Sequence, residues 1–129
     1  MSGADAKKPD TGATAIMVSN NGGRQLVSTP ATIDCIKPIL NTIGNDLEVI
    51  VDGGIRRGNH IIKAIAAGAG ACSISRAYLC GLSAGGQAWI EKCLSIFQTE
   101  LERSISILGT QTIKDIKPED LSQLNEPNV

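Results

Sequence analysis

The sequence has few aromatic residues, almost no net charge and no long hydrophobic run. Its 129 residues include one each of Trp, Tyr and Phe, and the formal net charge is -1. With no basic run and no interleaved aromatic side chains, nothing in the chain favours stacking on bases, so we expect no nucleic-acid binding. The apolar runs are far shorter than the roughly 20 residues of a membrane-spanning helix. We expect one globular domain without a membrane span.

Metal ligands and export signals are equally scarce. The four cysteines form no C-x-x-C pair, and His60, the single histidine, has no second ligand candidate at helical spacing. We therefore expect no metal site, and we interpret Cys72 in the run GACSI as a small buried apolar side chain. The N-terminal stretch MSGADAKKPD has no hydrophobic signal core. Together with reduced thiols, this pattern indicates a cytoplasmic protein.

What the chain does contain is a repeated succession of strand, loop and helix. Short continuous apolar runs, typical of strands buried on both faces of a parallel sheet, lie at 14–19, 47–52 and 70–75. Each run is followed by a short loop and then by a stretch that can form a helix. The predicted fold is α/β, with about three parallel β/α units joined by right-handed crossovers.

Capping residues indicate where the helices begin and end. Thr29 as N-cap and Pro30 at the first helical position open the first helix, which Pro38 is expected to kink or break. Asn59 caps the second helix, and Gly68 ends it. The last helix is the longest, with apolar residues every three or four positions: Ile90, Leu94, Phe97, Leu101, Ile105 and Leu108.

These elements divide the chain into three segments. The β/α units occupy 14–110, which we interpret as part of a barrel domain. The stretch 1–13 is short and polar, and we expect a disordered or remnant segment there. The stretch 111–129 is predicted to be a polar C-terminal tail with room for one short helix.

The informative polar residues follow the strands, at the edge where parallel folds place their ligand sites. Adjacent glycines let backbone N–H groups approach a ligand, and a helix N-terminus beyond them adds unpaired donors, which together suit a phosphate. The second and third loops contain residues of this kind: Gly53, Gly54, Arg56, Arg57, Ser75 and Arg76. In eight-stranded barrels the common phosphate site lies after strands seven and eight. The alternative is that the glycines only make turns and the arginines are solvated, but two such loops in consecutive units favour phosphate binding.

These residues also carry a resemblance to a known family. The stretches VSNNGGRQL, VIVDGGIRRG, IIKAIAAGAGACSISRAYLCGL and LERSISILGT are similar, in order and spacing, to the C-terminal part of the FMN-dependent α-hydroxy-acid oxidases and dehydrogenases. That family includes glycolate oxidase and the L-lactate dehydrogenase of the flavocytochrome b2 type. The similarity runs from about Thr14 to Thr110. IMP dehydrogenases share the DGGI loop and the helix after it, but SNNGGRQ and YLCGL are typical of the hydroxy-acid family.

The resemblance implies the C-terminal portion of a TIM (β/α)8 barrel, with FMN as cofactor and a small 2-hydroxy acid of the L-lactate or glycolate type oxidised to the 2-oxo acid. It implies that Arg24 binds the substrate carboxylate and that Asn21 stands where the family has its base, a histidine. A carboxamide has no titratable lone pair near neutral pH, so Asn21 cannot act as that base. The cofactor-binding residues that the resemblance implies are Asp52, Gly53, Gly54, Arg56, Ser75 and Arg76. Of these, Ser75 replaces a glycine of the family.

Two interpretations of function stay open at the level of the sequence. In the first, the chain is an enzyme fragment that is inactive alone and needs a complementing barrel half. In the second, it is a non-catalytic half-barrel that retains affinity for phosphate or the FMN phosphate, or a phosphate-binding barrel fragment of the IMP dehydrogenase kind. Two open sheet edges also predict self-association.

Overall fold

The structure is a computed structural model that describes residues 2–6 and 12–121, and its centre is a three-stranded parallel sheet. The strands are β1 (Ala15–Ser19), β2 (Glu48–Asp52) and β3 (Ala71–Ser73), hydrogen-bonded in the order β1-β2-β3. The predicted parallel β/α units are therefore confirmed, each strand lying inside its predicted range. The three strands form an open sheet.

The described ranges contain five α-helices. They are α1 (Gly3–Ala6), α2 (Thr32–Ile43), α3 (Gly58–Ala66), α4 (Arg76–Gly85) and α5 (Gln87–Leu108). The helical period of the last segment is confirmed by α5, and Gly68, with φ 105°, follows the end of α3 as expected. Among the described residues, no helix is both long and apolar enough to span a membrane.

The start of α2 differs from the prediction. The N-cap is Ala31 rather than Thr29, and no side chain caps the helix. Thr32 is only 3% exposed, and its hydroxyl donates to the backbone carbonyl of Asp52 at 3.0 Å, which ties the first residue of α2 to the end of β2. A tertiary contact has thus outweighed the local capping signal. Asn59 is likewise inside α3 and not its cap, which is Arg57.

The predicted break at Pro38 does not occur, because α2 continues through it to Ile43. A proline inside a helix removes one backbone hydrogen bond and destabilises the helix by about 3 kcal/mol. Buried residues on both sides of the proline, Ile36 and Ile39 among them, pack into one core. Each fully buried aliphatic side chain contributes about 1.5–3 kcal/mol, so packing on both sides offsets the proline.

The main core lies between the helices and one face of the sheet. Val18, Val49 and Val51 are at most 4% exposed and pack with α2, α3 and Phe97 of α5. Met17 and Ile50, paired in register on the opposite face, alternate with them, and Met17 is 58% exposed. This second face is the one that points inward where such a sheet closes into a barrel.

The segment after α5 is polar in composition, but it contributes one buried apolar side chain. Two short 3₁₀ turns, Ile113–Asp115 and Pro118–Asp120, flank Ile116, which is buried against Ile62 and Ala66 of α3. The N-terminal segment contributes α1, and Ala6 packs against the main core. Residues 1, 7–11 and 122–129, which fall in the two predicted terminal segments, lie outside the described residues.

Gly58 lies at a close approach of α3 to α5, and this contact gives a prediction. A Cβ atom there would lie 2.6 Å from the backbone nitrogen of Leu101 and 2.8 Å from the carbonyl oxygen of Phe97. We expect Gly58→Ala to lower the free energy of unfolding by about 1–3 kcal/mol, although alanine is the better helix former. Urea denaturation measures this. Asn59→Ala, at the exposed next position, is the control with little expected effect, and equal stabilities of the two variants would contradict the prediction.

Candidate functional site

The loops that follow β1, β2 and β3 meet at one end of the sheet around a cavity of about 240 Å³. Eight of the nine residues predicted from the sequence to form the site line this cavity, all except Arg57: Asn21, Arg24, Asp52, Gly53, Gly54, Arg56, Ser75 and Arg76. Gly22, Ile55, Ser73 and Leu79 complete the lining. The structure thus brings the candidate residues together, as the rule for parallel strands requires.

The loop after β1 uses its own backbone N–H groups internally. The amides of residues 21–24 donate, in order, to Ser19 Oγ at 3.0 Å, Asn20 Oδ1 at 3.0 Å, Asn20 O at 2.9 Å and Asn21 O at 3.4 Å. These bonds occupy the four amides of the turn. Within the turn, Asn21 and Arg24 are therefore the residues whose side chains can act on a ligand in the cavity.

Asn21 itself has a left-handed backbone. Its φ is 52°, and it is the one residue other than glycine with a positive φ in the described chain. Asparagine tolerates this conformation better than most residues, and the two glycines after it continue the same turn with φ 67° and 71°. The tight turn places Asn21 in the lining of the cavity.

Asp52 connects the first two strands through partners that the sequence did not reveal. Ser19 Oγ donates to the Asp52 carboxylate at 2.6 Å, and Thr32 donates to the Asp52 backbone carbonyl. Ser19 and Asp52 are register partners at the ends of β1 and β2. The signal that could have found this pair is the equal position of the two polar residues, each the last of its strand.

The loop after β2 is shaped to present its backbone. Gly53 and Gly54 have φ 106° and 81°, and a Cβ atom at Gly54 would meet nothing within 4 Å. A Cβ atom at Gly53 would come within 3.2 Å of Asn20 Oδ1. The N–H groups of Gly54 and Ile55 donate to no group within the described residues. This loop therefore offers unused donors next to open space.

Two helix N-termini lie near the cavity, and they differ. At α4 no side chain caps the helix at Ser75, and its first turn holds no acidic residue, so its N-terminal donors are available to an anion. At the N-terminus of α3 the Glu100 carboxylate already occupies the place of an anion, because it accepts from the Gly58 N–H at 2.8 Å. The same carboxylate accepts from Arg57 Nε at 2.7 Å.

This ion pair corrects one expectation. Arg57 was predicted to join the phosphate-binding loop, but it is paired with Glu100 and does not line the cavity. The hydrogen bond from Arg57, and after it that from Gly58, hold the pKa of the Glu100 carboxyl below its ordinary value. Glu100 is thus charged at neutral pH and occupies the anion position at the start of α3.

The charge of the cavity favours an anion. Arg24, Arg56 and Arg76 line it, against a single carboxylate, Asp52. Arg76, the first residue of α4, reaches the loop after β1, since a Cβ atom at Gly22 would lie 3.4 Å from its Nη2. Three arginines, one after each strand, therefore line one space.

The cysteines take no part in this site. Cys72 packs against the main core, and burial raises the pKa of its thiol to about 11, so it is protonated at neutral pH. None of the four cysteines lines the cavity. Cys72 thus makes the apolar contact expected from the sequence, but it is partly rather than fully buried.

Comparison with known families gives a match over almost the whole chain. The family model described as "FMN-dependent dehydrogenase" matches residues 1–123. The pre-mycofactocin synthase of Mycolicibacterium smegmatis is 46% identical over 118 residues, which are 91% of this chain and 30% of that protein. The L-lactate oxidase of Nostoc sp. is 44% identical over 111 residues, 86% of this chain and 30% of that protein. The chain thus spans about 30% of the length of these curated relatives.

Solved structures agree in fold. A soluble mutant of the membrane-associated (S)-mandelate dehydrogenase from Pseudomonas putida superposes with a TM-score of 0.86 at 31% identity, over 94% of this chain and 34% of that one. Mandelate oxidase with benzoyl-formic acid gives a TM-score of 0.83 at 34% identity, over 88% and 34%. The resemblance and the fold class, three parallel β/α units of a barrel, are both confirmed.

Proposed function

The chain belongs to the FMN-dependent dehydrogenase family, and on that premise we propose that its cavity binds the phosphate of FMN and forms part of the active site of a hydroxy-acid-oxidising enzyme. One observation carries the proposal: three loops converge on a cavity with three arginines and unused backbone donors. The substrate would be a small 2-hydroxy acid of the L-lactate or glycolate type, oxidised to the 2-oxo acid.

The residues present fit a phosphate. Gly54 has open space where a side chain would stand, the α4 N-terminus is uncapped, and Arg56 and Arg76 supply positive charge. Together these groups offer backbone N–H donors and guanidinium donors to one dianion, which is the preferred environment of a phosphate. Ser75 adds a hydroxyl at the helix start, and Asp52 and Gly53 position the loop.

Arg24 and Asn21 would face the substrate. The guanidinium of Arg24 can form a bidentate pair with a substrate carboxylate. Bound FMN supplies the acceptor for the electron pair that leaves the α carbon. The carboxamide of Asn21 can hydrogen-bond to the substrate hydroxyl, but it cannot take the proton, because it has no titratable lone pair near neutral pH.

Asn21 favours a second candidate function, a non-catalytic module that binds phosphate or FMN. In that case the cavity retains its anion site but turns over no hydroxy acid. The two candidates predict the same phosphate affinity and differ only in turnover. The exchange of Asn21 described in the Discussion separates them.

Several wider features are part of the same proposal. We assign the barrel portion to 14–110, with 1–13 and 111–129 outside it. A cytoplasmic location is supported by four unpaired cysteines. A complementing barrel segment or a second copy of the chain would pair with the edge strands, β1 and β3, whose outer sides have no partner in the described chain.

Removal of the Arg76 guanidinium tests the phosphate site. We expect Arg76→Ala to weaken binding of inorganic phosphate and of FMN by about 10–100-fold, the loss of one or two hydrogen bonds to a charged group. Titration calorimetry measures both ligands, and phosphate should compete with FMN. Arg103→Ala, an arginine on α5 outside the cavity, is the matched control and should leave affinity unchanged. Tight FMN binding that phosphate does not displace would overturn the proposal.

A further inference from the structure

His60 lies directly behind the loop that follows β2. It stands in the first turn of α3, and its Nδ1 atom is 3.0 Å from the Gly54 carbonyl oxygen and 3.2 Å from the Arg56 backbone nitrogen. His60 does not line the site cavity. It lines a second cavity, of about 260 Å³, on the other side of the same loop, while Gly54 and Ile55 line both. The loop therefore separates His60 from the ligand space.

One nitrogen cannot serve both loop atoms at once. When Nδ1 carries a proton it donates to the Gly54 carbonyl, and when it does not it can only accept from the Arg56 N–H. In the first state the Arg56 N–H loses this partner. The position of a single proton thus decides which of the two loop atoms His60 holds.

The geometry of the peptide bond extends this argument. The peptide between Gly54 and Ile55 is trans, so its C=O and N–H point in opposite directions. Because the carbonyl points back to His60, the N–H of Ile55 points away from His60, toward the side on which the site cavity lies. Gly54, with no Cβ atom and φ 81°, would by itself allow this peptide to rotate freely.

We propose that His60 is a positioning residue: by donating from Nδ1 to the Gly54 carbonyl, it holds the Gly54–Ile55 peptide so that the Ile55 N–H faces the bound phosphate. This inference rests on the proposed phosphate site and adds the group that orients its backbone donors. His60 contacts no ligand atom. It acts through the peptide that it holds.

Two substitutions of His60 by residues with a side-chain amide, one short and one long, test the proposal. In His60→Asn the side-chain nitrogen can occupy the position of Nδ1, whereas in His60→Gln the amide reaches only the position of Nε2. We expect His60→Gln to weaken binding of inorganic phosphate by about tenfold, the loss of one charge-assisted hydrogen bond, and His60→Asn to retain the affinity of the original chain. Calorimetry gives the affinities, and amide NMR spectra check that each variant is folded.

A spectroscopic readout makes the test specific to the peptide. On titration with phosphate, the Ile55 amide proton should move downfield in the original chain and in His60→Asn, but not in His60→Gln. Because His60 is the single histidine of the chain, its ring signals belong to one residue, and couplings to the ring protons distinguish its two nitrogens. Nδ1 should carry the proton in the phosphate complex.

The outcomes separate the two proposals. If the original chain binds no phosphate, the proposed site and the role of His60 both fail. If it binds phosphate but His60→Gln binds equally well, or if His60→Asn is as weak as His60→Gln, only the role of His60 fails. An Nδ1 atom without a proton in the complex also overturns that role, even if neither variant folds.

Discussion

Exchange of Asn21 for histidine should raise the turnover of L-lactate by about 10²–10⁴-fold, the usual contribution of a general base. The enzyme for this test is a hybrid in which residues 14–110 replace the corresponding segment of the Nostoc L-lactate oxidase, which is 44% identical to this chain. Histidine is among the residues that tolerate a left-handed backbone, so the φ of 52° at this position does not oppose the exchange. Reduction of a dye measures turnover.

Asn21→Gln in the same hybrid is the control, because it keeps a carboxamide and should stay as slow as the original. The absorbance of bound flavin should be equal in all three hybrids, so that only the proton acceptor differs. Equal turnover before and after the histidine exchange would show that Asn21 does not stand in for a base. It would then remove the main argument for a non-catalytic module.

The second large effect concerns stability. Ile36, in the middle of α2, is 0% exposed and belongs to the main core. We expect Ile36→Ala to lower the free energy of unfolding by about 2–5 kcal/mol, through lost burial and the cavity left behind. Urea denaturation followed by circular dichroism gives this value, with the slope of the transition compared between variants.

Ile33→Ala is the matched control: it removes the same atoms from the same helix, but Ile33 is 39% exposed. It should lower the free energy of unfolding by well below half as much as Ile36→Ala. Similar losses at the two positions would mean that α2 does not pack with the face assigned to it.

The strands and the site residues were predictable because their signals are local. A short apolar run followed by glycine and arginine marks the end of a buried parallel strand, and the ends of such strands share one edge. Gly53, Gly54 and Arg76 could therefore be placed together before their contacts were seen. The residue roles assigned to them stay predictions.

What the sequence did not reveal depends on contacts between distant residues. Arg57 follows the same glycines as Arg56, yet it pairs with Glu100, 43 positions later, and so lies outside the site. The start of α2 depends on a bond from Thr32 to Asp52, 20 positions away, which no capping rule contains. Ile116 looks like one apolar residue in a polar tail until α3 and α5 form the surface that covers it.

The carboxylate of Glu100 has a consequence for cooperativity. It fastens the middle of α5 to Gly58, two positions before His60, so an opening of α5 also releases the first turn of α3 and the loop in front of it. The loop after β2 then belongs to the same unit of local unfolding as α5. By thermodynamic linkage, a ligand at the loop raises the free energy of that opening, and amides of α5 far from the ligand would exchange their hydrogens more slowly when it is bound.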